Sequence, residues 1–346
     1  MAKIGLALGG GAARGWAHIG VIKALKEAGI EPDVIAGTSI GAVVGGCYVA
    51  GKFDELEEFA RSLTPRRMFG YFDWNLSGSG LINGQRLSDA IETHLGDQPI
   101  ETLDRPFIAV ATEIGTGHEI WLRRGRLVDA IRASYAIPGI FKPVRIKDRW
   151  LFDGALVNPI PVSVCRALGA QYVIAVNLNA DLLTLGTVLP DFEAELDADP
   201  EKNGTTASDA DMPQTVSEME QKRGALSLVQ RQFRLGGGGT DGAPSLSTIM
   251  VDAFNIVHDR IARSRLAGDP PDIMINPKLR NIGLFDFHRA DELMAIGETA
   301  ALRALADLRD DIDETQGRGD PATPPSAELA EAASESASAL KNAPDA

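Results

Sequence analysis

Cysteine is nearly absent from this chain of 346 residues: there are two, Cys47 and Cys165, far apart and in apolar surroundings. Two such thiols build neither a disulfide framework nor a zinc spacing, and a reducing, cytoplasmic compartment is the simplest expectation. An excess of basic charge is absent too. The net charge is −14, and nucleic acid, which requires a basic patch, is not an expected partner. Even the acidity is local. Residues 181–224 carry 11 acidic and 3 basic side chains and residues 311–346 carry 8 and 2, which leaves the remainder neutral. Long hydrophobic runs are scarce. The apolar run Ile4 to Leu8 is too short for a signal-peptide core. Val34 to Gly51 is 18 residues without a charge, the length at which a membrane span is considered, but it holds five glycines besides Thr38 and Ser39. A buried strand, a tight turn and a close-packed helix explain it better. With 44% apolar residues the chain has enough for a real core, in one large or two modest domains.

Glycine, by contrast, is placed with purpose. Gly9-Gly10-Gly11-Ala12-Ala13-Arg14-Gly15 opens a helix, and Gly37-Thr38-Ser39-Ile40-Gly41 follows it closely. The second is a G-x-S-x-G turn, which sets a serine on a sharp strand-to-helix bend flanked by residues without side chains. The first leaves backbone N–H groups free to face an anion. Acyl transfer needs both parts, an exposed nucleophile and donors for the oxygen that turns negative in the tetrahedral intermediate.

Around these motifs the pattern alternates. Lys3–Leu8 and Asp33–Ala36 are expected strands, with a helix Gly15–Ala28 between them and another running from the serine turn through Ala50. Strands at Phe107–Thr112, Glu119–Arg123 and Tyr172–Leu178, an extended Val144–Phe152 turning near Asp148, and a helix at Leu127–Tyr135 continue the series. Such alternation predicts an α/β fold with a parallel sheet covered by helices. Residues 181–247 are acidic and Gly-rich and are expected to form a flexible insertion, with one helix at Glu218–Leu235. Order is expected to resume with helices near Ser247–Ala267 and Asp291–Leu308 and a short strand Asp272–Ile275. The acidic tail 311–346 is expected to be disordered. This makes 1–180 and 248–310 a single catalytic domain.

Ser39 requires a base. Each of the five histidines (His18, His94, His118, His258, His288) is expected to be a surface or satisfied polar residue. His258, between Asp259 and Arg260, is expected on a solvated helix face. An α/β-hydrolase order of Ser, acid, His would need several strands before the nucleophile, and there is room for two. Asp153-Gly154-Ala155, at a strand end and ahead of the rigid Asn158-Pro159-Ile160-Pro161, supplies the alternative base. Apolar Trp150, Leu151 and Phe152 beside it are expected to raise its pKa by desolvation.

Taken with the run Ala133-Ser134-Tyr135-Ala136-Ile137-Pro138-Gly139, these motifs resemble the patatin-like phospholipases, in particular the short bacterial, RssA-like branch related to the esterase domain of neuropathy target esterase. The resemblance covers roughly Lys3–Leu178 and Ser245–Leu308. It implies a three-layer α/β/α patatin-like fold with a mostly parallel central sheet and a Ser–Asp dyad without histidine. Ser39 would be the nucleophile and Asp153 the general base. Gly10, Gly11 and Ala12 would form the oxyanion-hole segment. The implied activity is a serine lipid-acyl hydrolase acting on phospholipid or lysophospholipid, with no metal or other cofactor. Two positions depart from plant-type members, which have glycine at Ala12 and aspartate at Gly9. An alanine can still donate its N–H there if its φ is negative.

Three further expectations concern contacts. Arg14, after the glycine loop, is a candidate phosphate contact, with a structural ion pair as the alternative. Arg66-Arg67-Met68-Phe69-Gly70-Tyr71-Phe72-Asp73-Trp74 mixes cations with aromatics, as suits peripheral contact with the inner face of a membrane, although a loop capping the core is the plainer reading. The helix Glu218–Leu235, with Lys222, Arg223, Arg231 and Arg234, is a weaker candidate for the same contact. A nucleotide-binding module would need glycine at Arg14 or a P-loop lysine, and neither is present. A patatin-fold scaffold that acts through protein partners, with the acidic segments as docking sites, is the remaining alternative.

Overall fold

The structure, a computed structural model, describes residues 2–71, 80–82, 84–181 and 246–315. The chain divides into two compact units, Met1–Leu183 with Ile256–Ala346, and Thr184–Asn255. Of the second unit only residues 246–255, the start of a helix, are described. The expected helix Glu218–Leu235, the rest of the insertion from 182, the aromatics at 72–74 and the tail from 316 lie outside the described residues.

In chain order the elements are β1 (Ile4–Leu8), a 3₁₀ turn (Ala12–Trp16), α1 (Ala17–Glu27), β2 (Val34–Thr38), α2 (Ile40–Val49), α3 (Phe53–Arg61), α4 (Pro65–Tyr71), β3 (Gly80–Ile82) and α5 (Gln85–Leu95). Next come β4 (Phe107–Glu113), β5 (Glu119–Leu122), α6 (Leu127–Ser134), β6 (Gly139–Phe141), β7 (Val144–Ile146), β8 (Arg149–Asp153), α7 (Val162–Ala167) and β9 (Tyr172–Val176). The chain closes with α8 (Leu246–Gly268), β10 (Ile273–Ile275) and α9 (Ala290–Thr315). The last helix runs past Leu308 into the stretch expected to be tail.

Among the described residues the main sheet has eight strands, in the order β10-β9-β1-β2-β4-β8-β7 with β5 also on β4. From β10 to β4 every pairing is parallel. Strands β1, β2 and β4 are buried almost throughout, as parallel strands covered on both faces must be. Alternate residues serve different layers. Leu6, Leu8, Ile35 and Ala109 face a core shared with α1, α2, α6 and α9, while Ala7, Ala36, Ile108 and Val110 face α7 and Ala262 of α8. The result is an α/β structure with a mostly parallel central sheet and helices on both sides of it. On the first face α1 and α9 cross very closely: a Cβ at Gly20 would lie 1.9 Å from the Met294 carbonyl oxygen.

One strand positions the site. β5 and β2 both pair with Ala109 and Val110 of β4, so they occupy opposite edges of it. β8 shares Ala111 and Thr112 with β5 and therefore lies on the same edge as β2. Two strands thus meet end to end along one edge of β4. Thr38 stands opposite Val110 and Asp153 opposite Ala111, the next residue along.

Candidate active site

That register sets the two reactive side chains side by side. Ser39 leaves β2 immediately before α2 with φ 58° and ψ −124°, a left-handed conformation costly for a residue with a Cβ. The turn has no room for larger neighbours, since a Cβ at Gly41 would sit 2.1 Å from the Leu8 carbonyl oxygen. The strained turn is braced from behind. The Ser39 N–H donates to Ser134 Oγ at 2.9 Å, and that hydroxyl donates to the Val110 carbonyl at 2.6 Å.

Ser39 Oγ donates to Asp153 Oδ2 at 2.6 Å. The other carboxyl oxygen, Oδ1, accepts the Ala155 N–H at 2.8 Å, and the Asp153 carbonyl accepts Thr112 Oγ1 at 2.8 Å. Asp153 is fully buried. Burial pushes its pKa up to about 7, against the two hydrogen bonds, which favour the anion. Of the flanking residues expected to desolvate it, Leu151 is buried, Phe152 is half-buried and Trp150 is 49% exposed.

The glycine loop passes alongside. A Cβ on Gly10 would lie 3.4 Å from Ser39 Cβ. The Gly10 N–H is already taken by the Pro159 carbonyl at 3.1 Å. This narrows the expected donor segment to Gly11 and Ala12, whose N–H groups meet no acceptor among the described residues. Ala12 has φ 48°, so the negative φ on which donation by its N–H was made to depend does not occur. The turn is closed instead by the Arg14 N–H donating to the Gly11 carbonyl at 3.2 Å.

Ser39 and Ala12 open onto a cavity of about 110 Å³. Its wall is hydrocarbon: Ile40 and Val43 from α2, Leu56 and Phe59 from α3, Met68 from α4 and Ile91 from α5. Lys52, Glu55 and His94 are the basic and acidic side chains on its lining, and Lys52 pairs with Glu55 at 2.9 Å.

The chain is similar to known proteins. A model of the family described as patatin-like phospholipase matches residues 6–166. An uncharacterized NTE family protein of Mycobacterium bovis is 34% identical over 90% of this chain and 94% of its own length. The chain belongs to the NTE family and carries a patatin-like phospholipase domain. Within it, a lysophospholipase of Pyricularia oryzae is 27% identical over 91% of this chain and 20% of its own length. Patatin-like phospholipase domain-containing protein 6 of mouse is 34% identical over 54% of this chain and 14% of its own length.

Three sequence expectations take a different shape in this patatin-like chain. Arg14 is 5% exposed and does not line the cavity. Its Nε donates to the Ile282 carbonyl at 3.1 Å and its Nη1 to Asn179 Oδ1 at 2.8 Å, contacts that belong to a structural role. His258 is not on a solvated face. It is 3% exposed, and its Cε1 lies 3.3 Å from where a Gly10 Cβ would be. His18 is likewise buried, with a ring nitrogen 2.8 Å from the Gly9 carbonyl. Of the basic-aromatic stretch, Arg66 and Arg67 are exposed on α4, but Met68 turns inward to the cavity and Tyr71 packs on Phe59. Among the described residues no helix is long and apolar enough to cross a membrane.

Ser134 and Asn179 are the site residues that sequence reasoning passed over. A signal existed for the second. Asn177 and Asn179 follow the β-branched strand β9 at its carboxyl end, where open parallel sheets gather their ligands and reactive groups.

Proposed function

We propose that the protein is a lipid-acyl hydrolase of the phospholipase or lysophospholipase type, working through a Ser39–Asp153 dyad and an acyl-serine intermediate. The observation that carries this reading is the 2.6 Å hydrogen bond from Ser39 Oγ to a buried carboxylate, at the mouth of an apolar cavity. Membership of the family, and similarity to a lysophospholipase of Pyricularia oryzae, support the choice of substrate.

In this scheme Asp153 takes the hydroxyl proton as Ser39 attacks the ester carbonyl. With its pKa near 7, Asp153 is a far better base than an ordinary carboxylate and still ionised at the upper end of the physiological range. The developing oxyanion is met by the Gly11 N–H, which meets no acceptor among the described residues, and by the positive end of α2, which begins directly after Ser39. Protonated Asp153 then returns the proton to the leaving alcohol. A water activated by the same carboxylate releases the fatty acid and restores the serine. The acyl chain lies in the hydrocarbon cavity, and no step calls on a metal or a histidine.

The test is labelling with a fluorophosphonate, read by mass spectrometry on wild type and on Ser39→Ala. The expected outcome is one adduct, on Ser39, lost in the variant, together with release of fatty acid from lysophosphatidylcholine. Folded wild type that takes up no probe and releases no fatty acid would overturn the reading.

A further inference from the structure

Behind the glycine loop lies a polar cluster that the dyad chemistry does not use. Asn179, 5% exposed, commits its whole amide. Its Nδ2 donates to the Gly10 carbonyl at 3.0 Å and also lies 3.1 Å from His258 Nε2 and 3.4 Å from Nδ1. Its Oδ1 accepts Arg14 Nη1 at 2.8 Å. These contacts fix which end of the amide is which. A flipped Asn179 would turn its N–H groups on the guanidinium and its oxygen on the Gly10 carbonyl. The segment bearing it is held as well, because the Asn179 N–H donates to Asn177 Oδ1 at 3.0 Å and Asp181 Oδ2 accepts the N–H groups of Leu279 and Arg280 at 2.8 and 3.0 Å.

The Gly10 carbonyl matters because of the atom that shares its peptide plane. A trans peptide is planar, so its C=O and N–H point in opposite directions and holding one fixes the other. The N–H opposite the Gly10 carbonyl is that of Gly11, which meets no acceptor among the described residues. His258 and Ser39 flank Gly10, 3.3 and 3.4 Å from the position of a Cβ there. To accept from Asn179 the imidazole must be neutral. Burial, and then the nearby Arg14 charge, hold its pKa down at about 4, with Asp259 opposing weakly.

We propose that Asn179, clamped by Arg14 and His258, is a positioning residue for the oxyanion hole, which locks the Gly10–Gly11 peptide so that the Gly11 N–H is presented to the developing oxyanion. The inference rests on the acyl-transfer reading above.

The experiment uses the full chain with p-nitrophenyl butyrate and its thionoester, whose sulfur is a poorer hydrogen-bond acceptor. Asn179→Leu should lower kcat by about ten- to a hundredfold with KM unchanged, the range for a weakened oxyanion donor. It should also lose much of the preference for the oxygen ester. His258→Leu should show the same pattern more weakly, and His258→Gln, which keeps an acceptor, should recover most of the loss. This pair carries the test if Asn179→Leu does not fold. A cluster that merely satisfies buried polar groups would lower thermal stability and leave the oxygen-to-sulfur ratio at the wild-type value, which overturns the inference. Wild type that neither turns over nor takes the phosphonate on Ser39 overturns the acyl-transfer reading itself, and this inference with it.

Discussion

The floor and the wall of the cavity are made of opposite materials. The floor consists of the glycine loop, Ser39 and Asp153, held by backbone register and hydrogen bonds between 2.6 and 3.2 Å. The wall consists mostly of aliphatic and aromatic side chains from α2 to α5, which meet chiefly through dispersion contacts. A hydrogen-bonded floor depends on individual atoms, whereas a hydrocarbon wall depends on total volume and shape. Chemistry is therefore concentrated in the first and selectivity in the second.

Asp153→Asn should break the floor most completely. Turnover should fall on the order of 10⁴-fold, the scale seen when an acid of a catalytic unit is lost. The same change should stabilise the protein at pH 8. The folded-state pKa of about 7 lies above the ordinary carboxylate value, so the folded state binds the proton more tightly than the unfolded state. Stability is thus lost as pH rises through the ordinary value toward 7. Melting curves of variant and wild type should separate at pH 8 and converge by pH 4. Curves that separate the other way would mean that the carboxylate is stabilised where it sits.

In the wild type the same ionisation should shape the rate. With Asp153 as base, kcat/KM on a neutral ester should drop by about tenfold per unit below pH 7 and level off above it. A flat profile between pH 5 and 8 would move the base elsewhere.

Gly41→Ala tests how little the floor tolerates. One added carbon would sit 2.1 Å from the Leu8 carbonyl, and denaturant unfolding should show a loss of about 3 kcal/mol or more. The wall should respond differently. Val43→Trp fills the cavity next to Ser39, and the preferred acyl chain should shorten, with about a tenfold loss on long-chain esters and little on butyrate. A profile of chain lengths measures it. Leu56→Met, which conserves volume, should cost less than about 1.5 kcal/mol and leave that profile in place. If Leu56→Met proved as damaging as Gly41→Ala, the distinction between floor and wall would fail.

The floor is also the part that was legible in the chain. Ser39, Asp153 and the glycine loop are visible in sequence because each demands a rare residue at a fixed place, a serine between glycines or an aspartate at a strand end. The strands β1, β2, β4 and β9 were legible for a related reason, since burial on both faces requires unbroken apolar runs. The helices α3 to α5 that build the wall carry no such demand. Many apolar residues serve there equally well, so the segment 53–95 has no motif to find. His258 was misread because its neighbours on the helix, Asp259 and Arg260, look solvated. Burial of a single helix position is set by what packs against it, here the glycine loop more than two hundred residues earlier.

The sequence by itself determined the fold class and the strained turn that carries Ser39, because backbone conformation and burial leave few residues able to stand at those positions. Only the tertiary structure decided that Asp153 faces Ser39, through two strands meeting on one edge of β4. It alone decided that Gly10 spends its N–H on Pro159, and that Arg14 and His258 close on Asn179. Those are contacts between segments distant in the chain, and the register of a sheet and the packing of its helices fix them, not any local preference.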